Sequence, residues 1–180
     1  MQAERVVAKA TQWTLASCRL ARPAAGISPQ QMRQLYQAVV VPSFTYMVDV
    51  WFTPICKGED SGKSSGSVGM VRKLSSVQRM ATTAIMGART SASDVMEAHA
   101  SLLPVELMLH RVCHRATLRL AALPELHPLP KPTHQSTRRF LNQHRSPMHH
   151  LFHAFKLRPQ DCKKIAPSTC PPNKDNALRF

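Results

Sequence analysis

Apolar residues recur at helical spacing through most of the first 123 positions. From about residue 4 to residue 20 no breaker interrupts the chain, and Val6, Ala10 and Trp13 fall on one side. Arg22, Pro23, Ala24, Ala25 and Gly26 end that helix, since neither proline nor glycine continues one cheaply. The next start is sharper. Ser28 offers an N-cap hydroxyl, Pro29 takes the first helical position and Gln31 the third. Met32, Leu35, Tyr36, Val39 and Val40 then form a stripe at i, i+3, i+4, i+7 and i+8. Pro42 kinks or ends this helix. The run from Ser43 to Phe52 is apolar and aromatic-rich, compatible with a short buried helix or a strand. With no partner strand evident, helix is the expectation.

Met70, Leu74, Val77, Ala81, Ala84 and Ile85 make a second long stripe, with Arg72, Ser75, Arg79 and Thr82 opposite and Gly87 placed as a C-cap. Ser91 or Ser93 is positioned to cap a short turn through His99. Leu102, Leu103 and Pro104 lead into a last strong helix, with Val105, Leu109, Val112, Cys113, Ala116 and Leu120 inward and Leu123-Pro124 closing it. The pattern gives about five helices, no β-pair and no internal repeat.

Two stretches break the pattern. Residues 57–69 hold four of the six glycines and four serines, which predicts a flexible surface loop open to proteolysis or insertion. From Pro124 onward come nine of the 14 prolines, and residues 131–180 carry 10 basic groups against 2 acidic ones. That composition predicts a basic, Pro-rich arm, largely disordered in isolation. It holds one amphipathic stretch, around His149 to Phe155, that brings Leu151, Phe152 and Phe155 together. The expected architecture is mainly α: a small helical bundle over 1–123, followed by a linker or tail over 124–180.

The chain carries a net charge of +14 over 180 residues, with 43% apolar residues, enough for a core. The charge favours a polyanionic partner, without separating nucleic acid from an anionic membrane or an acidic protein. No apolar run approaches the roughly 18 residues of a membrane helix, so no bilayer span is expected. The start lacks the apolar stretch of a secretory signal, while its few acids fit a mitochondrial presequence. Five scattered cysteines suit a reducing compartment better than a disulfide framework.

The best binding feature is Arg111, Arg115 and Arg119, at i, i+4 and i+8 on the last helix. They span about 12 Å, and no acid lies between Glu106 and Glu125 to neutralise them. Like charges at that spacing repel, a small cost that a polyanion removes. Arg72, Lys73, Arg79 and Arg89 extend the patch if the two long helices pack side by side, and guanidinium groups suit phosphates because they donate in pairs. A solvated helix face accounts for the arginine row alone about as well. Tyr46, Trp51 and Phe52 are candidates to stack on bases, but their spacing favours the core, Trp51 above all.

Metal and enzyme chemistry find little support. His149, His150 and His153 lie near Cys162 and Cys170 in sequence, yet no zinc-type spacing appears, so neither metal nor cofactor is expected. Cys113 reads as core, and Cys18 and Cys56 show no local arrangement of basic partners that would make a nucleophile. There is no phosphate-cradling glycine loop, and the ten carboxylates are dispersed except for Glu59-Asp60.

Several short motifs in fixed order carry a likeness. Leu35-Tyr36, Ala38 through Pro42, Tyr46 and Val50-Trp51 resemble a segment that follows the polymerase palm in fungal non-LTR retrotransposon reverse transcriptases. The likeness continues through Leu74, Val77-Gln78-Arg79 and Ala81, through Ile85 and Gly87-Ala88-Arg89-Thr90, and through Leu102-Leu103-Pro104. Leu123-Pro124 with His127-Pro128-Leu129 is similar to the stretch that ends the helical region. His144 to His149, with Leu151 and Phe155, is similar to the linker before the RNase H domain. Together they cover about residues 1–166. The resemblance implies a thumb-like helical unit over 1–123 that grips RNA/DNA or DNA duplex by its phosphates, with an intracellular location. It implies no catalysis by this chain, because the palm's paired aspartates and the endonuclease and RNase H acids are missing. The missing palm would be its natural partner. A small basic interaction module with an acidic protein partner, or a mitochondrial basic protein, remains the other reading.

Overall fold

The computed structural model describes residues 2–21, 26–57, 64–138 and 146–165, leaving aside the side chains of 57 and 136–138. The expected breaker at 22–25, the tip of the Gly/Ser loop at 58–63, and the arm at 139–145 and 166–180 lie outside the described residues. Among those described, the chain is mainly helical: α1 (Gln2–Cys18), α2 (Pro29–Leu35), α3 (Val41–Thr45), α4 (Val48–Trp51), α5 (Val68–Met86), α6 (Ser93–His99), α7 (Val105–Ala121), α8 (Pro130–Arg138) and α9 (Pro147–Ala154). A π-turn, Tyr36–Val40, joins α2 to α3.

The start of α2 follows from its sequence. Gln31 N–H donates to Ser28 Oγ at 3.3 Å, and Ser28 N–H donates back to Gln31 Oε1 at 2.9 Å, with Pro29 in the first turn. From Met32 to Phe52 every fourth residue is buried: Met32, Tyr36, Val40, Phe44, Val48 and Phe52. A straight α-helix cannot hold that register, since four residues overshoot a turn by about 40°. Two breaks correct it. Pro42 has no N–H and its ring crowds the carbonyl four residues back, so Val41 N–H bonds Tyr36 O five residues back and the helix widens there. Further on, Met47 takes a left-handed conformation (φ 50°) between α3 and α4.

The long helices form the centre. α1 lies along α5, which also packs on α2, α6 and α7. The buried side of α1 is Val6, Ala10, Thr14 and Ser17, while Trp13 is 44% exposed. The expected inward turn of Trp13 is therefore corrected: small residues let α1 and α5 approach closely, and no room is left for an indole. Thr14 and Ser17 donate their hydroxyls to Ala10 O and Trp13 O, which removes the cost of burying them. Thr82, expected on the polar side of α5, is likewise buried and donates to Arg79 O. Gly87 ends α5 in the left-handed conformation, as expected. The cap of α6 is Ala92, with no side-chain bond, rather than a serine.

The Gly/Ser stretch is closed by a two-rung antiparallel ladder, Cys56 opposite Ser65 and Lys57 opposite Ser64. Gly66 (φ 112°) sits beside it, where a Cβ would stand 2.5 Å from Pro54 O, so only glycine fits.

Part of the arm, among the described residues, packs on the helical body. α9 packs on α4, α7 and α8, and Leu151 joins the main core. Lys164 Nζ donates to Ala121 O at 2.8 Å and Ile165 N–H to Ala122 O at 2.8 Å, so residues 164–165 close the C-terminal end of α7. Proline and charge dominate the composition here, but Leu151, Phe152 and Phe155 supply enough apolar surface to dock the segment.

Candidate nucleic-acid interface

The buried stripe of α7 is Val105, Leu109, Cys113, Thr117 and Ala121. Thr117 is buried because its hydroxyl donates to Cys113 O at 2.8 Å. Arg111, Arg115 and Arg119 run two positions out of step with that stripe and are exposed. A stride of four winds around an α-helix by about 40° per step, so the row turns through about 80° along its length. Among the described residues, no hydrogen bond or ion pair engages these three guanidinium groups.

Arg115 and Arg119 border a shallow groove of about 260 Å³ together with Thr45, Met47 and Asp49 from the α3–α4 corner and Val112 and Ala116 from α7. That is below the range of a small-molecule pocket, which starts at about 300 Å³. It suits a phosphate, a sugar or the edge of a base. Asp49 places one carboxylate at the groove, opposite in charge to Arg115 and Arg119.

The other predicted basic residues are spread apart. Arg72 is exposed on α5. Lys73 lines a separate cleft with Ala3, Glu4 and Val7 of α1. Arg79 is engaged within the fold: its guanidinium donates to Ser93 Oγ, to Arg89 O at 3.3 Å and to Ser91 O at 3.2 Å, which holds the α5–α6 connection. Arg89 is exposed in that connection. Among the described residues, the structure brings Arg115 and Arg119 to one groove, with Arg111 a turn away.

The three aromatic candidates also separate. Phe52 is buried and Trp51 is partly buried against the core. Both belong to an edge-on series through Phe52, His110, Phe155 and His114, with ring centroids 5.1 to 6.2 Å apart. His110 Nε2 accepts from Ile55 N–H at 3.1 Å. Tyr46, expected in the core, is 73% exposed. It sits where α3 stops, two positions from the buried Phe44 and Val48, and so on the outward side of the four-residue stride.

The thiols of Cys113 and Cys18 are held in the protonated form. Burial, and then the charge of Asp49, push the Cys113 thiol up to about 12, and burial raises Cys18. Among the described residues, no group of three His, Cys, Asp or Glu side chains gathers to hold a metal ion, and no helix is long and apolar enough to cross a membrane.

Comparison with protein-family models, with curated proteins and with solved structures finds no match to this chain.

Proposed function

We propose that the chain is a non-catalytic, thumb-like piece of a non-LTR retrotransposon reverse transcriptase that holds RNA/DNA or DNA duplex by its phosphates. The observation that carries the reading is the row Arg111, Arg115 and Arg119, exposed on α7 and engaged by no described residue. Three cations held one turn apart on a rigid helix repel one another, and a polyanion converts that cost into attraction. Contacts of this kind fix orientation on a backbone without reading sequence. The order of motifs from Leu35 to Phe155 supports the family likeness, and the net charge of +14 supports a polyanionic partner. The chemistry of the polymerase belongs to a palm outside this sequence.

Salt titration of binding to a blunt DNA duplex tests the reading. Each phosphate contact contributes a log–log slope of about −0.9, so changing Arg111, Arg115 and Arg119 together to Gln flattens the slope by about 2.7. Undetectable binding at low salt, or an unchanged slope in the triple variant, overturns it. An acidic-protein partner is the reading left standing in that event.

A further inference from the structure

We infer that the α3–α4 corner is a stacking platform for an unpaired base, so that this edge of α7 takes single-stranded nucleic acid. The inference rests on the nucleic-acid reading above and adds a partner class to it. Three observations meet at the corner. Tyr46 is the most exposed Phe, Tyr or Trp among the described residues, at 73%, and Met47 and Val50 near it are 51% and 52% exposed. The backbone under the ring is fixed: Tyr46 N–H donates to Pro42 O at 3.1 Å, Trp51 Nε1–H donates to Tyr46 O at 3.1 Å, and Val50 N–H donates to Met47 O at 3.0 Å. Thr45 and Met47, the residues on either side of Tyr46, line the groove that Arg115 and Arg119 border.

The combination has a definite chemistry. A left-handed conformation at methionine is strained, and it persists because these three bonds hold the corner. Tyr46 itself lies two positions from the buried Phe44 and Val48, on the outward side of the four-residue stride. Tyrosine loses little conformational freedom on binding, and every base has a π-face for it to stack on. Arg115 and Arg119 stand about 6 Å apart along the axis of α7, ready to hold the phosphates that flank a stacked base. A continuous duplex keeps its bases inside the stack, so Tyr46 gains nothing from it. An unpaired strand exposes the faces that the ring needs.

Fluorescence anisotropy on the full chain decides the matter, with a labelled 12-nucleotide oligo(dT) and a blunt 20-base-pair duplex as probes. Changing Tyr46→Ala should weaken oligo(dT) binding by about 5- to 150-fold, the range for one base–aromatic stack, and leave duplex binding within twofold. Tyr46→Phe should restore oligo(dT) binding. The double change of Arg115 and Arg119 to Gln should weaken both probes. Because Tyr46 is so exposed, its truncation leaves the fold intact, and circular dichroism confirms that each variant is folded. If Tyr46→Ala leaves oligo(dT) binding within twofold, or weakens both probes equally, the stacking platform is overturned while the phosphate grip stands. If the unaltered chain binds neither probe at low salt, the nucleic-acid reading itself falls, and this inference with it.

Discussion

Tyr36 donates its phenolic proton to Gln78 Oε1 across 3.1 Å, with both side chains fully buried. Gln78 passes the link on through Nε2, to Leu103 O at 3.0 Å and to Glu97 Oε1 at 2.8 Å. One amide thus ties the π-turn, α5, α6 and the entry to α7. Tyr36→Phe strands one acceptor and should cost about 1–3 kcal/mol in urea unfolding. Gln78→Leu strands the tyrosine hydroxyl and the Leu103 carbonyl together and should cost more than Tyr36→Phe. The reverse order would show that the network is not what orders these elements.

The four-residue stride makes a second prediction. Phe44→Ala opens a cavity in the core and should lower stability by about 3–5 kcal/mol. Val50→Ala, two residues from a buried position on either side, should stay within about 0.5 kcal/mol. Equal losses at the two sites would contradict the register.

The docking of α9 is tested at Leu151. Its side chain is 2% exposed and belongs to the main core. Leu151→Ala should therefore cost about 2–5 kcal/mol and shift the single thermal transition. A disordered arm would leave the midpoint where it is.

Alkaline pH should destabilise the fold. Cys113 is held protonated by burial and the charge of Asp49, with its thiol pushed up to about 12. Tyr36 is pushed upward by burial and then by Glu97. Unfolded, these groups ionise near their ordinary values of about 8.5 and 10. Above those values the unfolded chain releases protons that the folded chain keeps, so stability is present below and lost as pH rises. The urea midpoint should fall from about pH 9 upward, and Cys113→Ala should soften the fall between 9 and 12. A midpoint constant to pH 11 would sink this account.

Helix starts and stops were legible wherever a local bond decides them. Ser28, Pro29 and Gln31 announce α2, and Gly87 closes α5. The facing of helices was less legible. Apolar spacing turns Trp13 inward, but the packing of α1 on α5 selects Ala10 and Thr14 instead. Hydroxyls that donate to their own helix behave as small apolar groups, which hydropathy does not register, and this explains Thr82 and Thr117 as well. At the candidate site, the arginine row of α7 was readable from spacing alone. The exposure of Tyr46 was not, because it follows from the four-residue stride through Phe44 and Val48, which depends on backbone breaks at Tyr36–Val40 and Met47 that apolar spacing does not show.

The π-turn makes the number of residues between Met32 and Phe52 matter more than their identity. Gln37 and Ala38 lie outside the core, and their side chains are open to exchange, whereas Pro42 is needed for the turn itself. An inserted or deleted residue between Val40 and Phe44 is different. It rotates Phe44, Val48 and Phe52 together by about 100°, a phase error that no single neighbour can absorb. Drift in this stretch should therefore keep length while changing letters, and a length change there should abolish folding even where every apolar residue survives.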